Sequence, residues 1–257
     1  MINTLEALFI FGCQRSGTTA FLKSFENNDK VRVFNEVDDI IHKPSNKFDG
    51  HIRLRLLDFE ELNKILVPSK INIVKPLVES QNAYQIIEQY TNSKFVWIFR
   101  WYEDVIRSMR TKWGDNVGVE FVKSIIIPEE YNWRSEKTNN IKKLFTLIDK
   151  NNNLSKDDYC ALFWYSRNLH YFNQDLNYNE NIALVSYYHL TEKIYDIQHV
   201  LDLLEVKLNI KSNFRKIERE ERELNLNPIV IELCNTLYYR LDYVHHIQHK
   251  KYLTTNN

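Results

Sequence analysis

Residues Ala7 to Phe21 read Ala-Leu-Phe-Ile-Phe-Gly-Cys-Gln-Arg-Ser-Gly-Thr-Thr-Ala-Phe, and this stretch is the strongest indication of the fold in the sequence. Its first five residues, Ala7 to Phe11, are all apolar and predict a short buried strand. Gly12 to Gly17 predict a tight loop, and Thr18 has the character of a helix start. We therefore predict a strand, a loop and a first helix that runs over about Gly17 to Asn27.

The loop has the composition of an anion-binding loop. The chain has only five glycines, and two of them, Gly12 and Gly17, lie within this stretch. A backbone that turns around an anion needs residues without a Cβ. The N-terminus of the following helix also presents unpaired N–H groups and the positive end of its dipole. The stretch therefore predicts a phosphate-binding site.

The loop differs from the nucleoside-triphosphatase pattern at one position. That pattern places a lysine after the second glycine to reach the β- and γ-phosphates, whereas this chain has Thr18 there and a cation at Arg15. A donor with one 5′-phosphate and a single further anionic group fits this loop better than ATP. The sequence Gln-Arg-Ser-Gly-Thr-Thr resembles the loop of sulfotransferases that use 3′-phosphoadenosine 5′-phosphosulfate (PAPS). The resemblance implies that the donor is held by Arg15, Ser16, Gly17, Thr18 and Thr19.

Apolar and amphipathic segments alternate along most of the chain. Such alternation predicts an α/β fold, in which a central parallel sheet is flanked by helices and joined by right-handed crossovers. We predict one domain over 1–257, with a helical insertion or lid at 115–157 and a helical C-terminal part. The further predicted strands are Val31–Phe34, Ile71–Val74, Lys94–Phe99 and Ile182–Ser186. The predicted helices are Leu54–Leu66, Glu79–Tyr90, Glu103–Lys112, Asp158–Asn173, Thr191–Leu204 and the tail with Asn213–Glu223.

A second anion site is predicted at the end of the Lys94–Phe99 strand. Arg100 follows that strand directly, and Ser108 comes eight residues later in the next helix. A strand end and the helix after it return to the same sheet edge, so a guanidinium and a hydroxyl can converge there on one phosphate. The pattern resembles the sulfotransferase motif for the 3′-phosphate, which implies that Arg100 and Ser108 bind that group.

Three other segments are similar to sulfotransferases. Lys75 resembles the family lysine that approaches the oxygen between the phosphate and sulfuryl groups. Ser186 to Leu190 is similar to a Tyr-Glu-Asp-Leu segment and implies that Tyr187 lies near the donor. The helix that contains Trp164, Arg167 and Asn168 resembles bacterial members of the family.

Two features depart from the family pattern. Cytosolic members carry a catalytic histidine two residues after the lysine, whereas this chain has Leu77 there. The histidine mechanism therefore does not carry over. The tail also lacks a clear Arg-Lys-Gly segment to complete the 3′-phosphate site, and Arg215 and Lys216 are poor substitutes.

Glu36 is the first candidate for the catalytic base. It follows the Val31–Phe34 strand and resembles the glutamate base of glycan-type sulfotransferases. In-line sulfuryl transfer places negative charge on the leaving oxygen, and cations at Arg15 and Lys75 would stabilise that charge. A carboxylate can take the proton of a hydroxyl acceptor. The alternative bases are Glu79 and then His51.

The acceptor side of the predicted cleft is rich in carboxylates. Glu36, Asp38, Asp39 and Glu79 all belong to segments that meet this edge. We expect a small polar acceptor with a hydroxyl or amine, such as a bacterial natural product. The resemblance to sulfotransferases implies PAPS as donor and 3′-phosphoadenosine 5′-phosphate (PAP) as product. No clustered His or Cys spacing indicates a metal site, so we expect no metal.

The composition limits the partners. Lysine plus arginine equals aspartate plus glutamate, 34 against 34, so no overall positive charge attracts nucleic acid. The cysteines Cys13, Cys160 and Cys234 are odd in number and widely spaced, which favours a reducing compartment. The first apolar run is too short for a leader or membrane span. We expect a cytoplasmic protein with no membrane partner; monomer and homodimer stay open.

Three rival functions stay open. The first is a glycan sulfotransferase, which differs only in its acceptor. The second is a small-molecule kinase on the same loop, although Thr18 replaces its lysine and no strand-end aspartate clearly mimics a magnesium ligand. The third is a nucleotide-binding module that keeps the donor motifs and performs no transfer.

Overall fold

Five parallel strands form the central sheet of the protein. The computed structural model describes residues 7–36, 42–44, 54–57, 59–127, 133–210, 214 and 222–255. The order across the sheet is β2-β5-β1-β6-β7, and a short antiparallel pair, β3 and β4, lies apart from it. The strands are β1 (Ala7–Gly12), β2 (Val31–Asn35), β3 (His42–Pro44), β4 (Leu54–Leu57), β5 (Ile71–Lys75), β6 (Lys94–Phe99) and β7 (Ile182–Ser186). The predicted α/β fold with a parallel central sheet is confirmed.

Helices follow most of the strands. Short 3₁₀ turns also occur at Leu77–Asn82, Trp133–Ser135 and Leu176–Tyr178. Within the described residues, no helix is both long and apolar enough to cross a membrane. The α-helices are α1 (Thr18–Lys23), α2 (Phe59–Ile65), α3 (Ala83–Gln89), α4 (Tyr102–Trp113), α5 (Val117–Ile126), α6 (Asn139–Asn151), α7 (Lys156–Asn173), α8 (Tyr187–Thr191), α9 (Ile197–Leu203) and α10 (Pro228–Thr255).

Four predicted helices were partly wrong. The first ends at Lys23, and residues 24–27, which were predicted as its last turn, form turns instead. Leu54–Leu57 is a strand, so only the second part of the predicted Leu54–Leu66 helix is helical. The predicted Thr191–Leu204 helix is divided, because α8 ends at Thr191 and α9 begins at Ile197. Of the predicted Asn213–Glu223 helix, the described residues 214, 222 and 223 are not helical. Apolar spacing in short segments does not distinguish a helix from a strand that pairs elsewhere.

The two faces of the sheet carry separate apolar clusters. Phe9 and Phe11 of β1 face one cluster, and Leu8 and Ile10 face the other, as the period of two in a strand requires. Helix α1, which follows β1, packs in the second cluster, whereas α3, which follows β5, packs in the first. Because β1 and β5 are neighbours, a topological switch point lies between their carboxyl ends. Ligands of open α/β sheets bind at such points.

Helices α5 and α6 lie within the segment predicted as an insertion. Val122 and Ile125 of α5 are buried in the same apolar cluster as residues of α7. The contact is close, since a Cβ on Gly118 would lie 2.4 Å from the backbone nitrogen of Cys160. A lid motion of this segment stays a prediction.

The long helix α10 covers the outer edge of β7. Gln248 accepts a hydrogen bond from the backbone nitrogen of Leu184 (2.8 Å) and donates one to the carbonyl of Ile182 (3.3 Å). The rings of His245 and His249 both contact the Leu184 carbonyl. Burial lowers the pKa of His245 to about 2 and that of His249 to about 3, so both rings are neutral. Side chains of α10 thus take up the backbone hydrogen bonds that a further strand beside β7 would otherwise make.

Candidate active site

The segments after the five parallel strands meet at one edge of the sheet. Since the strands are parallel, their carboxyl ends lie side by side, and polar residues follow directly on each. Across the edge, in spatial order, the residues are Glu36 after β2, Lys75 at the end of β5, the loop Gly12–Gly17 after β1, Arg100 after β6 and Tyr187 after β7.

The loop after β1 is confined by its surroundings at both glycines. Gly12 has a φ of +134°, and a Cβ there would lie 2.3 Å from the carbonyl oxygen of Ile98. Gly17 has a φ of +94°, and a Cβ there would lie 2.2 Å from Cδ2 of Tyr187. A side chain at either position would be strained and would also clash. The loop therefore keeps its path only with glycine at these two positions.

Arg15 links the loop to helix α4. Its backbone has a φ of +68°, and its Nε donates a hydrogen bond to Oγ of Ser108 at 2.9 Å. The guanidinium also lies over the ring of Trp113, 5.6 Å from the centroid. Two residues that were predicted separately, one from each anion motif, are therefore in direct contact.

Arg100 approaches the same place from the end of β6. Its Nε and Nη2 both donate to Oδ2 of Asp104, at 3.3 and 3.1 Å. Asp104 and Ser108 are four residues apart on α4, so they share a face of the helix about one turn apart. The guanidinium groups of Arg15 and Arg100 are thus held by adjacent turns of one helix, and both lie at this edge of the sheet.

Tyr187 lies between the two anion motifs. Its ring lies where a Cβ of Gly17 would be, and the guanidinium of Arg100 lies over the same ring, 4.3 Å from the centroid. Tyr187 is the first residue of α8 and follows β7 directly. One aromatic ring therefore contacts both the loop and the arginine that were predicted to hold the donor.

Lys75, Thr19 and Glu36 form a polar cluster at the switch point. Lys75 Nζ donates to Thr19 Oγ1 at 2.8 Å and lies 3.1 Å from Glu36 Oε1. The lysine side chain is 1% exposed and the glutamate side chain 17%. Register places Asn35, just before Glu36, directly opposite Lys75. Glu36, the candidate base, and Lys75 therefore form an ion pair at the carboxyl ends of β2 and β5.

Several buried polar atoms lie at this edge without a hydrogen bond among the described residues. They include the side-chain amide of Gln14 and the second carboxylate oxygen of Glu36. Gln14 belongs to the loop and is buried, which sequence reasoning missed; its position directly before Arg15 was the available signal. Buried polar atoms usually find partners, so these atoms suit a polar ligand.

Glu79 is buried under the same edge and lies within the electrostatic reach of Arg167. Its Oε2 accepts a hydrogen bond from Nδ2 of Asn82 at 2.8 Å. Arg167 is fully buried, donates to the carbonyl of Leu77 at 3.0 Å and lies over the ring of Trp133. Burial lowers the pKa of Arg167 to about 10, so it stays charged at neutral pH. The Arg167 cation offsets part of the charge of Glu79 and Glu36, whose fields it experiences.

The other candidates divide into two groups. Ser16 and Thr18 are buried in the loop and at the start of α1, and the Ser16 hydroxyl lies beside the Cys13 thiol. Burial raises the pKa of Cys13 to about 12, so its thiol is protonated and a poor nucleophile. Asp38, Asp39 and His51, and also Arg215 and Lys216, lie outside the described residues.

Comparisons with known proteins agree with the fold. No protein-family model matches the sequence, and no curated protein matches it. A solved sulfotransferase from Alicyclobacillus acidocaldarius is similar over 95% of both chains, at 10% identity and a TM-score of 0.52. The mouse sulfotransferase SULT7A1 complexed with PAP aligns with 90% of this chain and 64% of its own, at 11% identity and a TM-score of 0.39. The chain therefore has a sulfotransferase fold; the second likeness is too distant to add to this.

Proposed function

We propose that this protein is a sulfotransferase that moves the sulfuryl group of PAPS to a hydroxyl or amine of a small polar acceptor. One observation carries the proposal. The contact between Arg15 and Ser108 joins residues 93 positions apart, one from the loop motif and one from the strand-end motif. The two motifs that resemble the two phosphate sites of one donor thus meet at a single place.

The residues at this edge fit such a donor. The 5′ end would be held by the loop, through Arg15, Ser16, Gly17, Thr18 and Thr19. The 3′-phosphate would be held by Arg100 and Ser108, with the ring of Tyr187 beside them. The Arg100 side chain is 9% exposed, and its partner Asp104 is 45% exposed and also lies 3.7 Å from Arg107. Because solvent already reaches the Asp104 carboxylate, exchanging it for a phosphate at Arg100 costs less than displacing a buried carboxylate would.

The donor supplies the sulfuryl group, and the chain supplies charge and a base. Lys75 and Arg15 place cations where negative charge develops on the leaving oxygen, which lowers the barrier more than it strengthens ground-state binding. Glu36 takes the proton from the acceptor hydroxyl, through the carboxylate oxygen that Lys75 does not engage. Lys75 also orients that carboxylate.

The acceptor class follows from the charges beside Glu36. The described residues there combine the carboxylates of Glu36 and Glu79 with the guanidinium of Arg167. Such a mixture favours a polar acceptor that both donates and accepts hydrogen bonds, such as a polyhydroxylated or amine-bearing natural product. A glycan acceptor has the same chemistry and is an outcome of the turnover test below.

A thermal-shift titration tests the donor site. PAP without magnesium should raise the melting temperature, because a ligand at about 100 times its Kd stabilises the folded state by about 2.7 kcal/mol. ATP without magnesium should produce a much smaller shift. A shift that requires ATP and magnesium, and none with PAP, would instead identify a kinase.

Turnover then separates an enzyme from a binding module. The chain is incubated with sulfur-labelled PAPS and a panel of amines, sugars and phenols, and labelled products are counted. Transfer to a polar hydroxyl or amine is the expected result. PAP binding with no transfer to any panel member, and no release of label to water, would support the binding module.

A further inference from the structure

A group of histidines lies where α8 meets α10, outside the candidate active site. His189 belongs to α8, and Asp242 and His246 belong to α10. One ligand-capable atom of each of these three side chains lies within 4.8 Å of the other two. We propose that His189, Asp242 and His246 bind a divalent transition-metal ion, for which zinc is the best match.

The two residues on α10 are already arranged as a pair of ligands. Asp242 and His246 are four positions apart on the helix and share a face. Oδ2 of Asp242 lies 3.4 Å from Nε2 of His246. Two ligands at about 2.1 Å from a tetrahedral ion are about 3.4 Å apart, so this distance suits zinc. The His246 side chain is 60% exposed and can rotate to close the remaining separation.

The hydrogen bonds behind His189 leave its other ring nitrogen as a ligand. The Leu184 carbonyl can only accept, so Nδ1 of His245, 2.8 Å away, carries the proton. Nε2 of the neutral His245 ring then holds a lone pair and accepts from Nδ1 of His189, also at 2.8 Å. His189 is thereby fixed as the tautomer with a lone pair on Nε2.

The hydrogen bonds from His189 to His245 and from His245 to the Leu184 carbonyl are of the kind that orient a metal-binding histidine. Metal-binding histidines usually donate their second ring N–H to a fixed acceptor, which orients the ring and strengthens the ligand. An ordinary ion pair between Asp242 and His246 would need neither His189 nor the hydrogen bonds behind it. The presence of the third residue on another helix is what distinguishes a metal site from that pair.

The ligand set selects the metal. Two imidazole nitrogens and one carboxylate oxygen suit zinc and its first-row neighbours, whereas magnesium and calcium prefer oxygen ligands. A bound ion would tie α8 to α10. Since His189 is two residues after Tyr187, the ion would also fix the helix that carries Tyr187, but it takes no part in sulfuryl transfer.

Calorimetric titration of the untagged, metal-free full chain with zinc chloride tests the site. We expect one zinc ion per chain and no heat of binding with magnesium chloride. Cobalt(II) in place of zinc should give the intense visible absorption of a four-coordinate ion. Absence of stoichiometric zinc binding would overturn the proposal.

Substitutions of the proposed ligands test where the ion binds. Asp242→Asn and His246→Ala should each lower zinc affinity by at least about tenfold. Tyr243→Ala is the matched control, because Tyr243 is exposed on the same helix and is not a ligand. His246 is exposed, so its variant should fold, which circular dichroism checks. Unchanged zinc affinity in both ligand variants would contradict the assignment.

Discussion

The candidate active site has two halves that hold their charges differently. In the proposed donor half, formed by Arg15, Arg100, Ser108 and Tyr187, Arg100 pairs with the carboxylate of Asp104, which is 45% exposed. In the transfer half, formed by Thr19, Glu36 and Lys75, the lysine is buried and has its carboxylate and hydroxyl partners in place. A carboxylate that solvent already reaches is released at lower cost than one in a buried pair, whose loss costs about 3–5 kcal/mol. We therefore expect Arg100 to exchange its partner for a ligand more readily than Lys75 does.

Glu36→Gln should produce the largest effect, and it should act on the transfer half alone. Loss of the base should lower turnover by about 10²–10⁴-fold, while PAP affinity stays within about threefold. Turnover is measured with labelled PAPS and PAP affinity by calorimetry. Glu26→Gln is the matched control, because Glu26 is an exposed glutamate that follows α1. Full turnover in the Glu36 variant would remove Glu36 from the role of base.

Gly17→Ala should disturb the donor half through the ring of Tyr187. Gly114→Ala is its control, because Gly114 also has a positive φ, +90°, but no neighbouring atom lies within 4 Å of the new Cβ. The clash at Gly17 should lower the free energy of unfolding by about 1–3 kcal/mol more than the Gly114 variant does. Urea denaturation measures the difference. PAP affinity should fall only in the Gly17 variant; equal behaviour of the two would contradict the packing of Tyr187 on the loop.

Cys13→Ala should have the smallest effect, although Cys13 lies in the loop between the two halves. Its pKa of about 12 keeps the thiol neutral, so turnover should stay within about twofold. An unfolded cysteine has a pKa of about 8.5, so the raised pKa stabilises the fold below that pH. This contribution is lost as pH rises toward 12, and the variant should therefore lose less stability in alkaline denaturation. A large fall in turnover would contradict this and indicate that the Cys13 thiol takes part in the reaction.

The sheet, and the meeting of Arg15, Arg100 and Ser108 at one of its edges, were predictable because their signals are local. Buried apolar runs identify β1, β6 and β7, and the residues that follow them meet at one edge in any parallel sheet. The pairing of Glu36 with Lys75 depends in addition on β2 and β5 being neighbours in the sheet, which the sequence analysis did not predict.

The features that sequence reasoning missed depend on distant contacts. Leu54–Leu57 becomes a strand because it pairs with His42–Pro44, which spacing within the segment does not indicate. The cluster of His189, Asp242 and His246 depends on how α10 lies along β7. Asp242 and His246 show helical spacing in the sequence, but nothing there connects them to His189.

The most direct measurement compares PAP with adenosine 5′-phosphate, which lacks the 3′-phosphate, by calorimetry on the wild type and on Arg100→Ala. If the two strand ends hold the two phosphates of one ligand, the variant should weaken PAP binding on the order of 100-fold and leave the binding of adenosine 5′-phosphate nearly unchanged. Arg107→Ala, which removes an arginine of α4 that lies 3.7 Å from Asp104, is the control and should change neither affinity. Equal losses for both nucleotides in Arg100→Ala, or no loss for either, would contradict the shared site.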